Sequence, residues 1–151
     1  MKNLYSLLKA CADLTVPYKL LVVGDGEMRH EWENESKSLK VSCSFLGQKN
    51  GLELEAVYHA SDVLVLPSFI EAFGAVTNEA LLQGCFCVIS SKAGSACLIE
   101  DGVNGYVCDP YSVDDIRDKV LLAGKLENRE KEPLMQKSFS SYFTSVVETL
   151  M

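Results

Sequence analysis

Glu71 and Glu79 stand eight positions apart in Pro67-Ser68-Phe69-Ile70-Glu71-Ala72-Phe73-Gly74-Ala75-Val76-Thr77-Asn78-Glu79, one on each side of an expected strand-to-helix junction. An ionised carboxylate only accepts hydrogen bonds, so two of them at one junction suit a ligand rich in donors. The preceding Asp62-Val63-Leu64-Val65-Leu66 is an apolar run of the kind buried inside a parallel sheet, and Pro67 ends its ladder by lacking a donor. Glu71 is therefore expected in the loop above the carboxyl edge of the sheet, where open α/β sheets bind ligands. Glu79, four after Ala75 and three before Leu82, is expected on the helix side that faces the sheet. Left unpaired there, a carboxylate costs on the order of several kcal/mol, so it calls for a hydrogen-bond partner. Taken without context, Glu79 also fits a helix carboxylate favoured by the amino-terminal dipole, and Glu71 a solvated loop residue.

Phe73, Gly74, Ala75 and Val76 are expected to open the helix, with backbone amides forming an anion site. Gly74 suits either a close approach of backbone to ligand or simply a helix start. Gly24-Asp25-Gly26 is a weaker signal of the same kind. The dinucleotide fingerprint needs a third glycine where this chain has Arg29, so a nicotinamide or flavin cofactor is not expected.

These residues need elements to hold them, and the pattern supplies an alternation of helices and strands. Helices are expected over residues 4–14, 27–39, 52–60, 74–83, with Gly84 as the cap, 114–125 and 134–150. Strands are expected over 19–23, 42–46, 62–66, 86–89 and 106–108, with a Ser- and Gly-rich loop at 90–95 and a double turn at Asp101-Gly102-Val103-Asn104-Gly105. Five strands joined by helices of this length imply right-handed crossovers and an α/β, doubly wound parallel sheet of Rossmann type.

The 151 residues, 48% of them hydrophobic, suit one domain with a real core. A formal charge of −7 argues against a nucleic-acid partner, which requires clustered Lys and Arg. No run approaches the length of a transmembrane segment and the start lacks a signal peptide, so the expected location is cytoplasmic. The six cysteines include Cys85-Phe86-Cys87, too close for a usual CxxC pair, and neither His30 nor His59 is in ligand spacing with a Cys. Buried thiols are expected, rather than a metal centre or disulfides.

Gly24-Asp25-Gly26 after a strand, Phe45-Leu46-Gly47, the 62–68 strand, Glu71 through Glu79, the loop around Gly94 and Asp101-Gly102-Val103-Asn104-Gly105-Tyr106 come in a particular order and spacing. Over roughly residues 2–126 the chain thereby resembles the carboxy-terminal, donor-binding domain of retaining glycosyltransferases of the GT-B architecture, family 4 in particular. That likeness implies one half of a GT-B enzyme, with residues 1–151 a single donor-binding domain. It also implies a separate amino-terminal domain for an acceptor glycan or lipid-linked glycan, and an amino-terminal strand of the sheet, both outside these residues. By position, Glu79 matches the carboxylate that accepts hydrogen bonds from the donor's ribose; a vicinal diol does offer two donors to such a group. Glu71 matches the one that holds the donor sugar and orients its anomeric carbon. Gly24 and Gly26 would lie beside the donor, with Gly47, Gln48 and Lys49 near the base, although Lys49 equally fits a surface lysine. Lys2 matches a lysine that clamps the diphosphate together with an arginine, for which no counterpart lies in this chain; Lys2 equally fits a frayed terminal residue. Without the implied first strand, central in the usual order, the others must close up or borrow one.

The reaction implied by the resemblance is sugar transfer from a nucleotide-diphosphate sugar, with retention and without a metal or other cofactor. No Asp-x-Asp pair stands in a suitable loop, and helix-terminus amides and basic side chains would meet the leaving group's charge. Glu71 and Glu79, one in a loop and one on a helix, are not expected to act as the acid and base of a glycosidase. The full-length parent would be a hexosyltransferase, and this part alone a weak donor binder without turnover. Its setting would be polysaccharide assembly, in the cytoplasm or at the membrane periphery. Two rivals are a sugar-nucleotide epimerase of the same architecture and a non-catalytic module of receiver or flavodoxin type, loosely imitated by Asp25, Glu71 and Lys92.

Overall fold

A computed structural model describes residues 2–125. Helices α1 (Leu4–Ala12), α2 (Arg29–Ser38), α3 (Gly51–Ala60), α4 (Ala75–Leu82) and α5 (Val113–Gly124) alternate with strands β1 (Leu20–Val23), β2 (Cys43–Gly47), β3 (Val63–Leu66), β4 (Phe86–Ser90) and β5 (Gly105–Cys108). The expected α/β architecture with parallel strands is present. One short element went unforeseen, a 3-10 turn at Gly94–Leu98 that begins in the Ser- and Gly-rich stretch and runs past it. The helix expected over 134–150 lies outside the described residues.

Side-chain alternation along the strands separates two apolar layers. In β3 and β4, Val63, Val65, Phe86 and Val88 face one cluster with Leu7, Leu8 and Cys11 of α1 and Ile116 and Ala123 of α5. Leu64, Leu66, Cys87 and Ile89 face the other, with Tyr58 of α3 and Ala80 and Leu81 of α4. Strand β4 has both neighbours paired and is buried at every residue, which explains its unbroken run Phe-Cys-Val-Ile-Ser. Each fully buried Val, Ile or Phe there contributes about 1.5–3 kcal/mol.

The strands do not form one continuous sheet, and this corrects the expectation of a single five-stranded ladder. Strands β1 and β2 pair with each other, while β3, β4 and β5 form a separate ladder in that order; every pairing is parallel. Nor do the strands close up, since no ladder joins β1 to β3. The cost is visible in burial: residues 63–65 of β3 and 20–22 of β1 are only half-buried, and Val23 is exposed. The apolar run 62–66, read as the kind buried inside a parallel sheet, is thus fully buried only at Leu66.

Of the six thiols, Cys11, Cys85, Cys87 and Cys108 are buried and none is in a disulfide. Burial pushes Cys11 and Cys108 up to about 12 from the ordinary 9.0. Cys97, in the 3-10 turn, is exposed, contrary to the general expectation of buried thiols.

Candidate functional site

Because all strands within each ladder run the same way, the loops after β3 and β4 emerge at one edge, and they are stitched together there. The Glu71 amide donates to the Lys92 carbonyl at 3.4 Å, Gly94 N–H to the Glu71 carbonyl at 3.1 Å, and Ser95 N–H to the Phe73 carbonyl at 2.6 Å. Glycine at 94 is obligatory for this seam, since a Cβ there would stand 2.3 Å from the Ala72 carbonyl oxygen. The seam holds Glu71 at the loop crest, where its carboxylate pairs with the Lys2 ammonium. Lys2 thus stands beside Glu71, with its side chain largely exposed. Next to it, Asn3 is buried in a left-handed conformation (φ 58°), and its side-chain amide donates to the carbonyls of Pro67 (3.0 Å) and Pro110 (2.8 Å). Asn tolerates that backbone region better than most residues do.

Helix α4 begins at Ala75 rather than at Gly74, so Phe73 and Gly74 do not open it. Gly74 is its cap residue, with φ 88°, and Phe73 lies in the loop with its ring exposed. A Cβ on Gly74 would meet Ser95 Oγ at 2.8 Å and Leu66 Cδ2 at 3.0 Å, so this glycine serves the turn and its packing. No side chain caps the helix; Thr77 N–H donates to the Gly74 carbonyl at 2.9 Å, while the amides of Ala75 and Val76 have no intrahelical acceptor. The Thr77 hydroxyl, fully buried, is hydrogen-bonded with Ser95 Oγ at 2.9 Å and ties α4 to the 3-10 turn.

Glu79 does not face the sheet. Thr77, Ala80 and Leu81 take the buried side of α4, and Glu79 is exposed on its flank. The inward stripe runs through positions 77, 80 and 81 rather than 75, 79 and 82, since Ala75 and Leu82 are exposed as well. A partner is nevertheless present, as the Tyr58 hydroxyl donates to Glu79 Oε2 at 3.0 Å. Burial above all, then the hydrogen bond to Glu79, push the Tyr58 phenol upward from its ordinary 10.0 and keep it protonated as a donor.

Gly24, Gly26 and Gly47 form a second cluster at the carboxyl ends of β1 and β2. Gly24 N–H donates to the Gly47 carbonyl at 2.9 Å, and Gly26 N–H to Asp25 Oδ1 at 2.9 Å. Arg29, where a third glycine would stand in a dinucleotide fingerprint, ties this corner together. Its guanidinium donates to the Phe45 carbonyl at 3.1 Å and pairs with Asp25 and Glu33. Lys49 pairs with Glu53 on the first turn of α3.

Sequence reasoning singled out the carboxylates and Lys2 but not Asn3, Tyr58, Gly94 as a packing glycine, or the Thr77–Ser95 pair. Only Tyr58 had a local signal: it falls in the inward stripe of α3, four after Leu54. The others depend on contacts between segments far apart in the chain.

The family model for Glycosyl transferases group 1 matches residues 1–138. A glycosyltransferase of Methanocaldococcus jannaschii described as uncharacterized is 39% identical over 108 residues, covering 68% of this chain and 28% of its own. An α-1,4-N-acetyl-D-galactosaminyltransferase of Campylobacter jejuni, which acts on an undecaprenol-diphosphate-linked glycan, is 35% identical over 133 residues, covering 83% of this chain and 34% of its own. The chain therefore spans about a third of the length of these curated relatives. Among solved structures, an Anabaena protein in complex with UDP-glucose superposes with a TM-score of 0.73 at 23% identity over 99% of this chain and 45% of its own, a likeness of fold. An uncapped helix start flanked by two partnered carboxylates, at the edge of a parallel α/β scaffold, is consistent with that match, and the chain belongs to the glycosyl transferases group 1 family.

Proposed function

We propose that residues 1–151 are the donor-binding part of a retaining, family 4 glycosyltransferase and that the ligand is a nucleotide-diphosphate sugar. The observation that carries the reading is the flanking of the α4 amino terminus by Glu71, paired with Lys2, and by Glu79, paired with Tyr58. In this reading Glu79 accepts the two ribose hydroxyls, and the open amides of Ala75 and Val76 face the diphosphate. Glu71 holds hydroxyls of the sugar, and Lys2 exchanges its partner Glu71 for a phosphate oxygen. Gly24, Gly26 and Gly47 line the neighbouring corner, beside the donor and its base. The UDP-glucose carried by the Anabaena neighbour supports a uridine nucleotide as the first ligand to try.

Leaving-group charge is met by amides and an ammonium rather than by a metal, in a reaction that passes a hexose to an acceptor with its anomeric configuration retained. The acceptor, a glycan or lipid-linked glycan, would be held by a separate domain of a longer polypeptide, working in the cytoplasm or at the membrane periphery. The same polypeptide would supply a parallel strand between β1 and β3, and this part alone would bind donor without turnover. The C. jejuni relative's lipid-linked substrate supports that class of acceptor.

Calorimetric titration of the chain with UDP, GDP and ADP in EDTA, beside Glu79→Ala, tests the donor site. Saturable binding of one nucleotide, weakened about tenfold or more in the variant as expected for hydrogen bonds to a charged acceptor, is the expected result. Equal affinity in the two proteins would sink the assignment of Glu79.

A further inference from the structure

The hydroxyl of Tyr58 is the one polar atom on an otherwise apolar, packed side chain, and it ends on the exposed carboxylate of α4. Tyr58 is 7% exposed and sits in the cluster of Leu66, Ala80, Leu81, Cys87 and Ile89. Its backbone is anchored as well, since its carbonyl accepts from the Ser61 amide at 3.0 Å and from Cys85 Sγ at 3.0 Å. Glu79, by contrast, is an exposed helix residue with three rotatable bonds and no ion-pair partner among the described residues. Without a fixed donor its carboxylate would sample several rotamers, and a ligand would have to select one.

Resting on the reading of Glu79 as the acceptor for the ribose, we infer that Tyr58 is a positioning residue that sets the specificity of this site for a ribonucleotide. The Tyr58 hydroxyl occupies one lone-pair direction of Oε2. That leaves Oε1 and the second direction of Oε2 for the two donors of a cis-diol, with the carboxylate's rotamers already restricted. Burial raises the phenol's pKa, so it stays a donor throughout the neutral and mildly alkaline range. Tyr58 does not touch the ligand in this arrangement; it acts through Glu79.

The test is titration of the chain with UDP and with 2′,3′-dideoxy-UDP, the GDP and ADP pairs being run in parallel, for the unaltered protein, Tyr58→Phe, Glu79→Ala and the double variant. Phenylalanine keeps the buried ring, and thermal unfolding checks that it does. The unaltered protein should prefer the ribonucleotide. Tyr58→Phe should weaken it by about three- to tenfold, the usual worth of one hydrogen bond, with little change for the dideoxy analogue. In the Glu79→Ala background, Tyr58→Phe should have no further effect, as required of a residue that works through its partner. If the unaltered protein binds both sugars equally or binds no nucleotide, the ribose assignment of Glu79 falls and takes this inference with it. If it discriminates, and Glu79→Ala abolishes discrimination while Tyr58→Phe leaves it intact, Glu79 stands and the inference about Tyr58 is wrong. Equal weakening of ribo- and dideoxynucleotide by Tyr58→Phe, or an undiminished effect in the Glu79→Ala background, would likewise overturn it, leaving Tyr58 a packing residue.

Discussion

Asn3 illustrates how a single side chain places a charge that sequence could only suggest. Its amide spans the carbonyls of Pro67 and Pro110, at the ends of two different segments, and so fixes the residue before it, Lys2, beside Glu71. The Lys2–Glu71 pair itself adds little to stability, on the order of 0–1 kcal/mol, because the lysine is largely exposed. Its significance is positional. Asn3→Ala removes both hydrogen bonds, leaves two carbonyls unpaired and puts a less tolerant residue at φ 58°. We expect a loss of about 2–4 kcal/mol in urea unfolding, together with weaker nucleotide binding. An unfolding curve superimposable on the parent's would show that the two bonds are not worth what their burial implies.

Among the elements, the junction from β3 to α4 depends on the loop after β4, and the contact is main chain against main chain. Glycine at 94 allows the approach that lets Ser95 N–H reach the Phe73 carbonyl and Gly94 N–H reach that of Glu71. In Gly94→Ala the Ala72 carbonyl must move, and it belongs to the same loop as Glu71. The expected outcome is a destabilisation above about 1 kcal/mol and a reduced affinity for the nucleotide that binds the parent. Unchanged affinity in a folded variant would mean that the seam does not position Glu71. Element types were legible here because Val63-Leu64-Val65-Leu66 is a short apolar run ended by Pro67, and Gly74 and Gly84 bound the helical stretch that follows. Helix phase was not legible: the inward stripe is Thr77, Ala80 and Leu81 rather than Ala75, Glu79 and Leu82, which puts Glu79 on the flank.

For the molecule as a whole, the decisive fact is the break between the two ladders. β1 and β3 each keep one paired edge, while β4 is paired on both sides and buried throughout. Hydrogen exchange is therefore expected to be slowest in β4 and faster in β1, β2, β3 and β5, each of which has one edge with no strand beside it among the described residues. Protection of β1 and β3 equal to that of β4 would contradict the break, and would point to strand pairing between copies of the chain. No helix among the described residues is long and apolar enough to cross a membrane.

By itself the sequence determined the order and type of the ten helices and strands among the described residues, the parallel α/β class and the two carboxylates worth testing, all of which follow from local sequence pattern and from residue types at a junction. Its likeness to a known family was carried by motifs of the same local kind. Only the tertiary structure decided that Glu79 is exposed and held by Tyr58, that Lys2 reaches Glu71 across 69 positions, and that the strands form two ladders. Those outcomes turn on helix phase, close backbone approach and strand adjacency, which arise between segments distant in the chain and leave no periodic trace within any one of them.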